Sequence, residues 1–393
     1  QPLAPLRRAL DMARLRRETR PIVLLLSLAL DGGVGRHVED RIKALEAQGY
    51  APLLLRPDRD SQRLHISASG ALPYPDLAFR FADEGGLFAA MLDALPVHHI
   101  EFHHFLGMNQ RFVEHCLALD VPVDVYIHDY SWYCPRLSLL GAYGIYCGEP
   151  GLAACKSCIR RAGSELHDAL APEALQARSL RWLSRARSVF APCQDVAARY
   201  AAIFPDVTFS VMPWEDSPPA PRAVEHSGAV PHRIAVIGAI GEQKGQNILL
   251  ACARQAALHD LPLEFVVIGF AEDEEALLRT GKVFVTGRYA PEELPSLLRR
   301  EAPSGIFLPS VTPETWSYTL SEALATGLPV MAFDIGAIAE RLRNGRTPHR
   351  LVPLDTSTSR LNEGLMTIAA AEAQEGAPFA APAAPIAAAP PAP

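Results

Sequence analysis

The sequence predicts an α/β protein built from two doubly wound domains in tandem. Apolar strand-like runs alternate with amphipathic helical segments along most of the 393 residues, which predicts parallel sheets covered by helices. This series occurs twice, at residues 22–214 and 232–355, and the length suits two domains of ordinary size. A stretch rich in Pro and polar residues, 215–231, separates the series and is the predicted linker.

The first domain begins with IVLLLSLA, a continuous apolar run that is typical of a buried parallel strand. A glycine loop and an amphipathic helix follow it. The remaining predicted elements are the strands APLLLRPD, HHIEFHHF and VDVYIHDY, the helix LQARSLRWLSRARSV, the strand SVFAPC and the helix QDVAARYAAIF.

The second domain repeats the pattern in about 120 residues, a normal domain size. Its predicted strands are 233–238, 264–269, 283–287, 305–309 and 328–333, with helices QNILLACARQAALH and APEELPSLLRRE between them. A helix over 356–375 is predicted to pack back against the rest of the protein. The Ala/Pro-rich tail, 376–393, is predicted to be disordered.

Composition narrows the class of protein. Hydrophobic residues make up 49% of the chain and the net charge is −7, so we expect a globular protein that does not bind nucleic acid. No apolar run is long enough to cross a bilayer, and no signal peptide precedes the first strand. We therefore expect a cytoplasmic protein, in a compartment that keeps its seven cysteines reduced.

Residues 1–21 carry most of their charge as arginine. One interpretation is a basic linker helix with a solvated face. The other is a helix that lies on an anionic membrane surface, which would bring the protein to the inner face of the cytoplasmic membrane.

The stretch PETWSYTLSEALATGLPV places two acids, Glu314 and Glu322, eight positions apart. A helix is predicted to begin near residues 317–319, and its N-terminal dipole favours phosphate. Carboxylates on either side of that phosphate accept hydrogen bonds from hydroxyl groups, which suggests a nucleotide diphosphate sugar. The alternative is that Thr315 or Ser317 simply caps the helix.

A glycine loop, GAIGEQKGQNILL, directly follows the first strand of the second domain. Gly238, Gly241 and Gly245 allow the backbone to approach a ligand closely. Lys244 adds a positive charge beside the expected phosphate. The loop and the two glutamates fall on the same edge of the predicted sheet.

Together these motifs resemble the retaining glycosyltransferases of family 4, which have the GT-B fold: two Rossmann-like doubly wound domains facing each other across a cleft. The motifs that carry the resemblance are E-x7-E at Glu314 and Glu322, the Lys244-Gly245 pair, the G-x-P-V turn that starts at Gly327, the loop FDIGAIAE, and GGVGRH in the first domain. The resemblance covers about residues 22–355.

The resemblance implies specific roles for these residues. His128 and Glu314 would contact the transferred sugar as the catalytic residues, and Glu322 would bind the ribose. The diphosphate would be held by the residues Gly32, Gly33, Gly238, Lys244, Gly245, Tyr318 and Thr319. Transfer would proceed with retention and without a catalytic metal, to a glycan or lipid-linked acceptor, in the synthesis of bacterial surface polysaccharide such as lipopolysaccharide.

One position departs from the family pattern. The family has an arginine shortly before the lysine, where this chain has Ala239 or Ile240. Arg288 or Arg36 would have to supply that charge, and Arg36 is also an acceptor-site candidate. The alternative function is a catalytically weak nucleotide-binding or glycan-assembly module with the same fold. A dinucleotide oxidoreductase is disfavoured, because GGVGRH is only a partial match to the G-x-G-x-x-G motif.

Four cysteines, Cys134, Cys147, Cys155 and Cys158, form an insertion at 134–158 whose closing C-x-x-C has zinc-knuckle spacing. A structural zinc in an otherwise poorly packed loop and reduced free thiols both remain open, and similar insertions occur in bacterial surface-polysaccharide glycosyltransferases. Among the histidines 98, 99, 103, 104 and 115, most are interpreted as polar strand-end residues, with His104 retained as an acceptor-site candidate.

Overall fold

Two sheets organise the chain, one in each of two units. The computed structural model describes residues 4–28, 32–58, 60–68, 77–215 and 230–371. The first unit extends to Trp214, and the second begins at Glu215. Residues 144–146 group with the second unit. Most of the predicted linker and the whole predicted tail, 216–229 and 376–393, lie outside the described residues.

The first unit has a sheet in the order β4-β3-β2-β1-β5-β6-β7-β8. Its strands are Ile22–Leu26 (β1), Ala51–Pro57 (β2), Arg63–Ala68 (β3), Ala78–Arg80 (β4), Val97–Phe102 (β5), Val123–Tyr126 (β6), Ser188–Ala191 (β7) and Phe209–Val211 (β8). All neighbouring strands are parallel except β3, which is antiparallel to β2 and β4. Sequence analysis missed β3, β4 and β8, because their alternating or short patterns do not form the continuous apolar runs that revealed the other strands.

The helices of the first unit cover this sheet. They are Ala4–Leu15 (α1), Gly33–Ala47 (α2), Gly85–Asp93 (α3), Gln110–Leu117 (α4), Leu152–Ala162 (α5), Pro172–Leu183 (α6) and Gln194–Ile203 (α7). The basic helix α1 packs on the unit through Leu15, which is 1% exposed, and through Arg8, whose guanidinium pairs with Glu84 at 2.9 Å. Because of these contacts, α1 is not a fully solvated linker helix.

The second unit has an entirely parallel sheet in the order β11-β10-β9-β12-β13-β14. The strands are His232–Ile240 (β9), Leu263–Ala271 (β10), Val283–Val285 (β11), Gly305–Leu308 (β12), Val330–Phe333 (β13) and His349–Val352 (β14). The first strand of this unit, β9, lies at the centre of the sheet, and the strand order reverses between β9 and β12. In such sheets, ligands bind beyond the carboxyl ends of the strands at this point of reversal.

The helices of the second unit are Gln246–Leu258 (α8), Glu274–Leu278 (α9), Leu294–Glu301 (α10), preceded by a 3-10 turn at Pro291–Glu293, Tyr318–Thr326 (α11), Gly336–Asn344 (α12) and Thr358–Ala370 (α13). The last helix packs on α8 and on the sheet, where the Asn362 amide donates to the carbonyl of Cys252 at 3.0 Å. It corresponds to the helix predicted at 356–375, and its described part is shorter. The FDIGAIAE segment was predicted to be a loop, but α12 begins within it, at Gly336.

The strands form where the sequence is continuously apolar. Every residue of β1, β6, β12 and β13 is buried, as expected of parallel strands covered on both faces. Among the helices of the described residues, none combines the length and the apolar character needed to cross a membrane.

Candidate functional site

Three stretches of the second unit meet at the carboxyl ends of β9, β12 and β13. Gly245, just before α8, has a φ of +81°, and a Cβ there would lie 2.0 Å from the carbonyl oxygen of Pro309 after β12. Only glycine fits this conformation and this approach. The loops after β9 and β12 are therefore in direct contact, as the shared sheet edge predicted.

The start of α11 is brought close to β9 in the same way. Gly238 has a φ of +114°, and a Cβ there would lie 3.3 Å from the Thr319 side chain. Its strand partner, Gly269, has a φ of +134°, and a Cβ there would meet the carbonyl oxygen of Gly238 at 2.0 Å. The glycine loop and the first turn of α11 therefore border one space.

Lys244 and Glu314 form an ion pair at this edge. Lys244 Nζ lies 2.7 Å from Glu314 Oε1, and the Ser310 hydroxyl donates to the same oxygen. Burial alone would raise the pKa of Glu314, but the charge and hydrogen bond of Lys244, with help from Ser310 and Ser317, lower it. Glu314 is therefore ionised, and its side chain is only 12% exposed.

The helix that carries Glu322 begins at Tyr318, within the predicted range. Ser317 caps it: its hydroxyl accepts from the N–H of Leu320 at 3.4 Å, and its own φ is +70°. The first turn, with Tyr318 and Thr319, carries the positive end of the helix dipole. Capping and anion binding were posed as alternatives, but a capped first turn still directs its dipole toward a ligand.

An arginine that sequence analysis missed holds this turn in place. Arg341, on α12, donates to the carbonyls of Trp316 at 2.9 Å and Ser317 at 2.8 Å. Its guanidinium also lies 3.9 Å from the centroid of the Trp316 ring and donates to the Ser321 hydroxyl at 2.7 Å. The turn before α11 is thus fixed from the side by α12.

Glu215 completes this network. Its carboxylate accepts from the Trp316 indole at 3.1 Å and from the Ser321 hydroxyl, and lies 3.6 Å from Arg341. The sequence placed Glu215 in the linker, since the Pro-rich run starts directly after it. No local pattern signals that one linker residue binds a helix about a hundred positions later.

Glu322 lies one turn inside α11, near Tyr289. Burial raises the pKa of Tyr289, and the charge of Glu322 raises it further. The exposed Arg288, which follows β11, stacks its guanidinium 3.7 Å from the centroid of the Phe270 ring at the end of β10. These residues line the edge beyond β10 and β11, where Gly269 and Gly287 also have positive φ.

In the first unit, the predicted glycine loop leads directly into α2. Gly32 is its N-cap residue, with a φ of +115°, and Gly33 is its first residue. Both are exposed, as is Arg36 one turn further on. The residues before Gly32, 29–31, lie outside the described residues.

His128 is almost buried, at 8% exposure, and follows β6. Its Nε2 lies 3.1 Å from Nδ1 of His103, and the ring of His37 packs 5.1 Å from its own. Burial lowers the pKa of all three histidines, that of His37 to about 3, so they are neutral near pH 7. His103 directly follows the last residue of β5, at a strand end as predicted, and it is part of a buried cluster.

His104 also differs from its predicted role. It is 1% exposed, its Nε2 contacts Asp129 at 2.9 Å, and its Nδ1 accepts from the N–H of Leu106 at 2.9 Å. Both ring nitrogens are already used within the first unit. This geometry makes His104 a brace between two loops and gives no support to a contact with an acceptor.

The four cysteines of the insertion line one cavity of about 30 Å³. Cys155 and Cys158 lie one turn apart on α5, so the C-x-x-C occupies a helix instead of the expected loop. All four are free thiols. Burial raises the pKa of Cys134 to about 12, and charge on Cys147 or Cys155 would raise it further, which reflects how near these sulfurs lie.

Comparisons with known proteins bear on this geometry. Residues 231–369 match the family model described as "Glycosyl transferases group 1". A search of curated protein sequences found no match.

Several solved structures share the fold along almost the whole chain. HepE (Alr3699) from Anabaena, in complex with UDP, is 15% identical with a TM-score of 0.53, over 89% of this chain and 93% of that chain. The pneumococcal O-GlcNAc transferase GtfA, in complex with UDP and GlcNAc, is 9% identical with a TM-score of 0.58, over 90% and 92%. A glycosyltransferase from Rickettsia africae is 12% identical with a TM-score of 0.54, over 89% and 88%.

At these identities the structural similarity establishes the fold, and the family match is confined to residues 231–369 of the second unit. The parallel sheet of that unit, its glycine loop and its capped α11 are the parts that the family match covers. Residues 231–369 therefore match the group 1 glycosyltransferase model, and the chain as a whole shares the two-domain α/β fold of these solved glycosyltransferases.

Proposed function

We propose that this protein transfers a sugar from UDP-sugar to a glycan or lipid-linked acceptor, with retention and without a catalytic metal. The observation that carries the proposal is the Lys244–Glu314 pair beside the first turn of α11. It sets a cation, a helix dipole and a carboxylate around one space. UDP as the nucleotide is supported by the similar structures of HepE and GtfA, both of which are complexes with UDP.

The roles of the residues follow from their positions. Lys244 and the α11 dipole stabilise the diphosphate. Negative charge develops on the diphosphate as its bond to the sugar breaks, and these fixed positive charges stabilise it. Gly238 and Gly245 leave room for the phosphates to approach the backbone. Glu314 accepts from the sugar hydroxyls, and Glu322 from the ribose.

The charge that the missing arginine would supply is assigned to Arg288 or Arg36. Arg288 is exposed and would have to leave the Phe270 ring to reach a phosphate. On the side of the first unit, Gly32 and Gly33 leave the start of α2 without side chains, a surface suited to a diphosphate. His128 would contact the sugar only if its buried ring has access to the ligand.

The acceptor and pathway are proposed from the resemblance of the cysteine insertion to those of bacterial surface-polysaccharide glycosyltransferases. They would place the reaction in the cytoplasm or at the inner face of its membrane. The rival function is a catalytically weak nucleotide-binding module, which the absence of an arginine at Ala239 and Ile240 favours.

Thermal shift with a panel of UDP, GDP, ADP, CMP and dTDP, with and without EDTA, tests the donor. We expect UDP alone to raise the melting temperature, by mass action on the folded state, and EDTA to leave the shift unchanged. Hydrolysis of UDP-sugars, followed by released UDP, then separates an enzyme from a binding module. Stabilisation by none of the nucleotides would overturn the proposal.

We further propose that Cys134, Cys147, Cys155 and Cys158 hold a structural zinc. Four thiolates suit a tetrahedral zinc site, and all four line a single cavity. Arg136 ties the two sides of this cavity, donating to the carbonyls of Leu140 at 2.9 Å and Ala162 at 3.0 Å. The zinc would order the insertion and take no part in the sugar transfer.

Zinc content and thermal stability test this site. The purified protein should contain zinc, and Cys155→Ser/Cys158→Ser should lower both the zinc content and the melting temperature. The matched control is Cys252→Ser, which removes a buried cysteine of the second unit. Unchanged zinc content in the double variant would refute the assignment.

A further inference from the structure

We propose that Gly144 and Tyr146, in the cysteine insertion, are positioning residues for the donor site of the second unit. Residues 144–146, the insertion tip, group with the second unit, although residues 143 and 147 on either side group with the first. The proposal rests on the proposed function, because it concerns the two loops that carry Lys244 and Glu314. It does not depend on a metal in the four cysteines.

A row of backbone hydrogen bonds joins the insertion tip to both of these loops. The N–H of Tyr146 donates to the carbonyl of Val311 at 3.2 Å, and the N–H of Val311 donates to the carbonyl of Gln243 at 3.0 Å. Val311 lies three residues before Glu314, and Gln243 lies directly before Lys244. The tip therefore bonds the loop after β12 at the very residue that bonds the loop after β9.

Gly144 brings the insertion tip against the loop after β9 at a second point. Its φ is +72°, and an added Cβ would lie 2.5 Å from Oε1 of Glu242, two residues before Lys244. Gly148, four residues further along the insertion, has a φ of +71°, yet nothing lies within 4 Å of an added Cβ there. Of these two glycines with similar φ, only the one in the tip approaches the loop after β9.

Hydrophobic burial of Ile145 or of the residue before the tip does not hold this segment in place. Ile145 is 59% exposed, and Tyr143 is 78% exposed. Val311, by contrast, is 3% exposed, and a buried carbonyl that loses its donor destabilises the loop that carries it. The N–H of Tyr146 therefore stabilises the loop after β12 in its present position.

These contacts fix the two loops before a ligand arrives. The proposed site needs Lys244 beside the diphosphate and Glu314 beside the sugar at the same time, so the loops must keep a constant separation. Loops that are already in place lose less conformational freedom on binding, which strengthens the binding of the ligand. Such coupling is reciprocal, so bound UDP should in turn hold the N–H of Tyr146 more firmly against Val311.

Calorimetric titration of three variants with UDP tests this role. Tyr146→Pro removes the N–H that donates to Val311 and should weaken UDP binding by about two- to fivefold. Tyr146→Ala, which loses the ring and keeps the N–H, should lose less affinity. Ile145→Pro is the matched control and should bind UDP as wild type does, because its N–H has no backbone acceptor among the described residues. Without UDP, the two proline variants should melt at similar temperatures, since the loss lies in affinity and not in folding.

Hydrogen exchange of the wild type covers the case that Tyr146→Pro does not fold. UDP should slow the exchange of the Tyr146 amide together with residues 310–322, and should leave the amide of Gly148 unchanged. Protection of 310–322 without Tyr146, or equal UDP affinity in Tyr146→Pro and Tyr146→Ala, would overturn this inference and leave the proposed function standing. No UDP binding to the wild type would instead overturn the proposed function, and the positioning role with it.

Discussion

Lys244 and Glu314 form an ion pair that, under the proposed function, would serve both parts of a donor. Their ion pair is only partly shielded, since the Lys244 side chain is 35% exposed and that of Glu314 12% exposed. Such a pair contributes little to stability, at most about 1 kcal/mol. We expect a bound donor to divide it, with the ammonium turning to the diphosphate and the carboxylate to the sugar.

Lys244→Met should weaken UDP binding by about 10–100-fold, because a hydrogen bond to a charged group contributes roughly 1.5–3 kcal/mol. Calorimetric titration with UDP measures the effect. Lys282→Met is the matched control, since it removes the same charge from the same unit. Lys282 lies just before β11, away from the carboxyl ends of the strands, where its ammonium donates to the carbonyl of Leu261. Equal losses in both variants would mean that Lys244 has no specific role.

The ionised state of Glu314 makes a small part of the stability depend on pH. Its pKa in the folded protein is below the unfolded value of about 4.3. The stabilisation is therefore complete above that value and is lost as pH falls through the folded pKa. Glu314→Gln should unfold at lower urea than wild type at about pH 7, and the gap should narrow as the pH falls below about 4.3. A gap that widens in acid would contradict the pairing.

At the scale of elements, the site depends on close contact between loops. Gly245 brings the β9 loop against the end of β12, and Arg341 ties α12 to the turn before α11. Neither residue has to touch a ligand to affect binding. Each should therefore change affinity through the positions of other groups.

Gly245→Ala should be far more disruptive than Gly281→Ala. Both glycines have positive φ, at +81° and +67°, which costs an alanine roughly 1–2 kcal/mol. Only at Gly245 does the added Cβ also meet backbone, the Pro309 carbonyl oxygen at 2.0 Å, whereas at Gly281 nothing lies within 4 Å. Urea unfolding of the two variants measures the difference, and similar losses would refute the close contact.

Arg341→Lys should weaken UDP binding by several-fold while the protein stays folded. Lysine keeps the charge but cannot donate to both carbonyls and stack on Trp316 as the planar guanidinium does. Arg343→Lys, two residues along the same helix and exposed beside Asp334, is the control and should bind UDP as wild type does. Affinity that is unchanged in Arg341→Lys would show that the turn holds its position without the arginine.

At the scale of the whole molecule, the two units divide the proposed sites. The residues proposed to hold UDP most directly lie in the second unit, and the proposed four-cysteine zinc site lies in the first. Hydrogen exchange should therefore slow at 238–245 and 310–322 when UDP binds. Protection at 32–36 as well would show that the first unit takes part in holding the donor, and protection at neither place in the second unit would contradict the proposed site.

The sequence revealed the parts of this fold that are locally encoded. Buried parallel strands such as β1, β9 and β12 appear as apolar runs, and Lys244, Glu314 and Glu322 stand in motifs of fixed spacing. The antiparallel β3 and β4 were missed because β3 alternates polar and apolar residues and β4 is only three residues long. Arg341, Glu215 and the histidine cluster were missed because their partners are distant in the chain, so no spacing connects them.

The elements beyond β9 and β12 form one group, and those beyond β10 and β11 form another. This separation has a consequence for which residues can be changed independently. The first group, with Gly245, Lys244 and α11, is locked by backbone contacts that tolerate almost no substitution. The second group, around Phe270, Arg288 and Tyr289, consists of side chains at the end of short loops. Under the proposed function, substitutions within 286–290 would therefore change contacts with the nucleotide while leaving the close contact between the β9 and β12 loops in place.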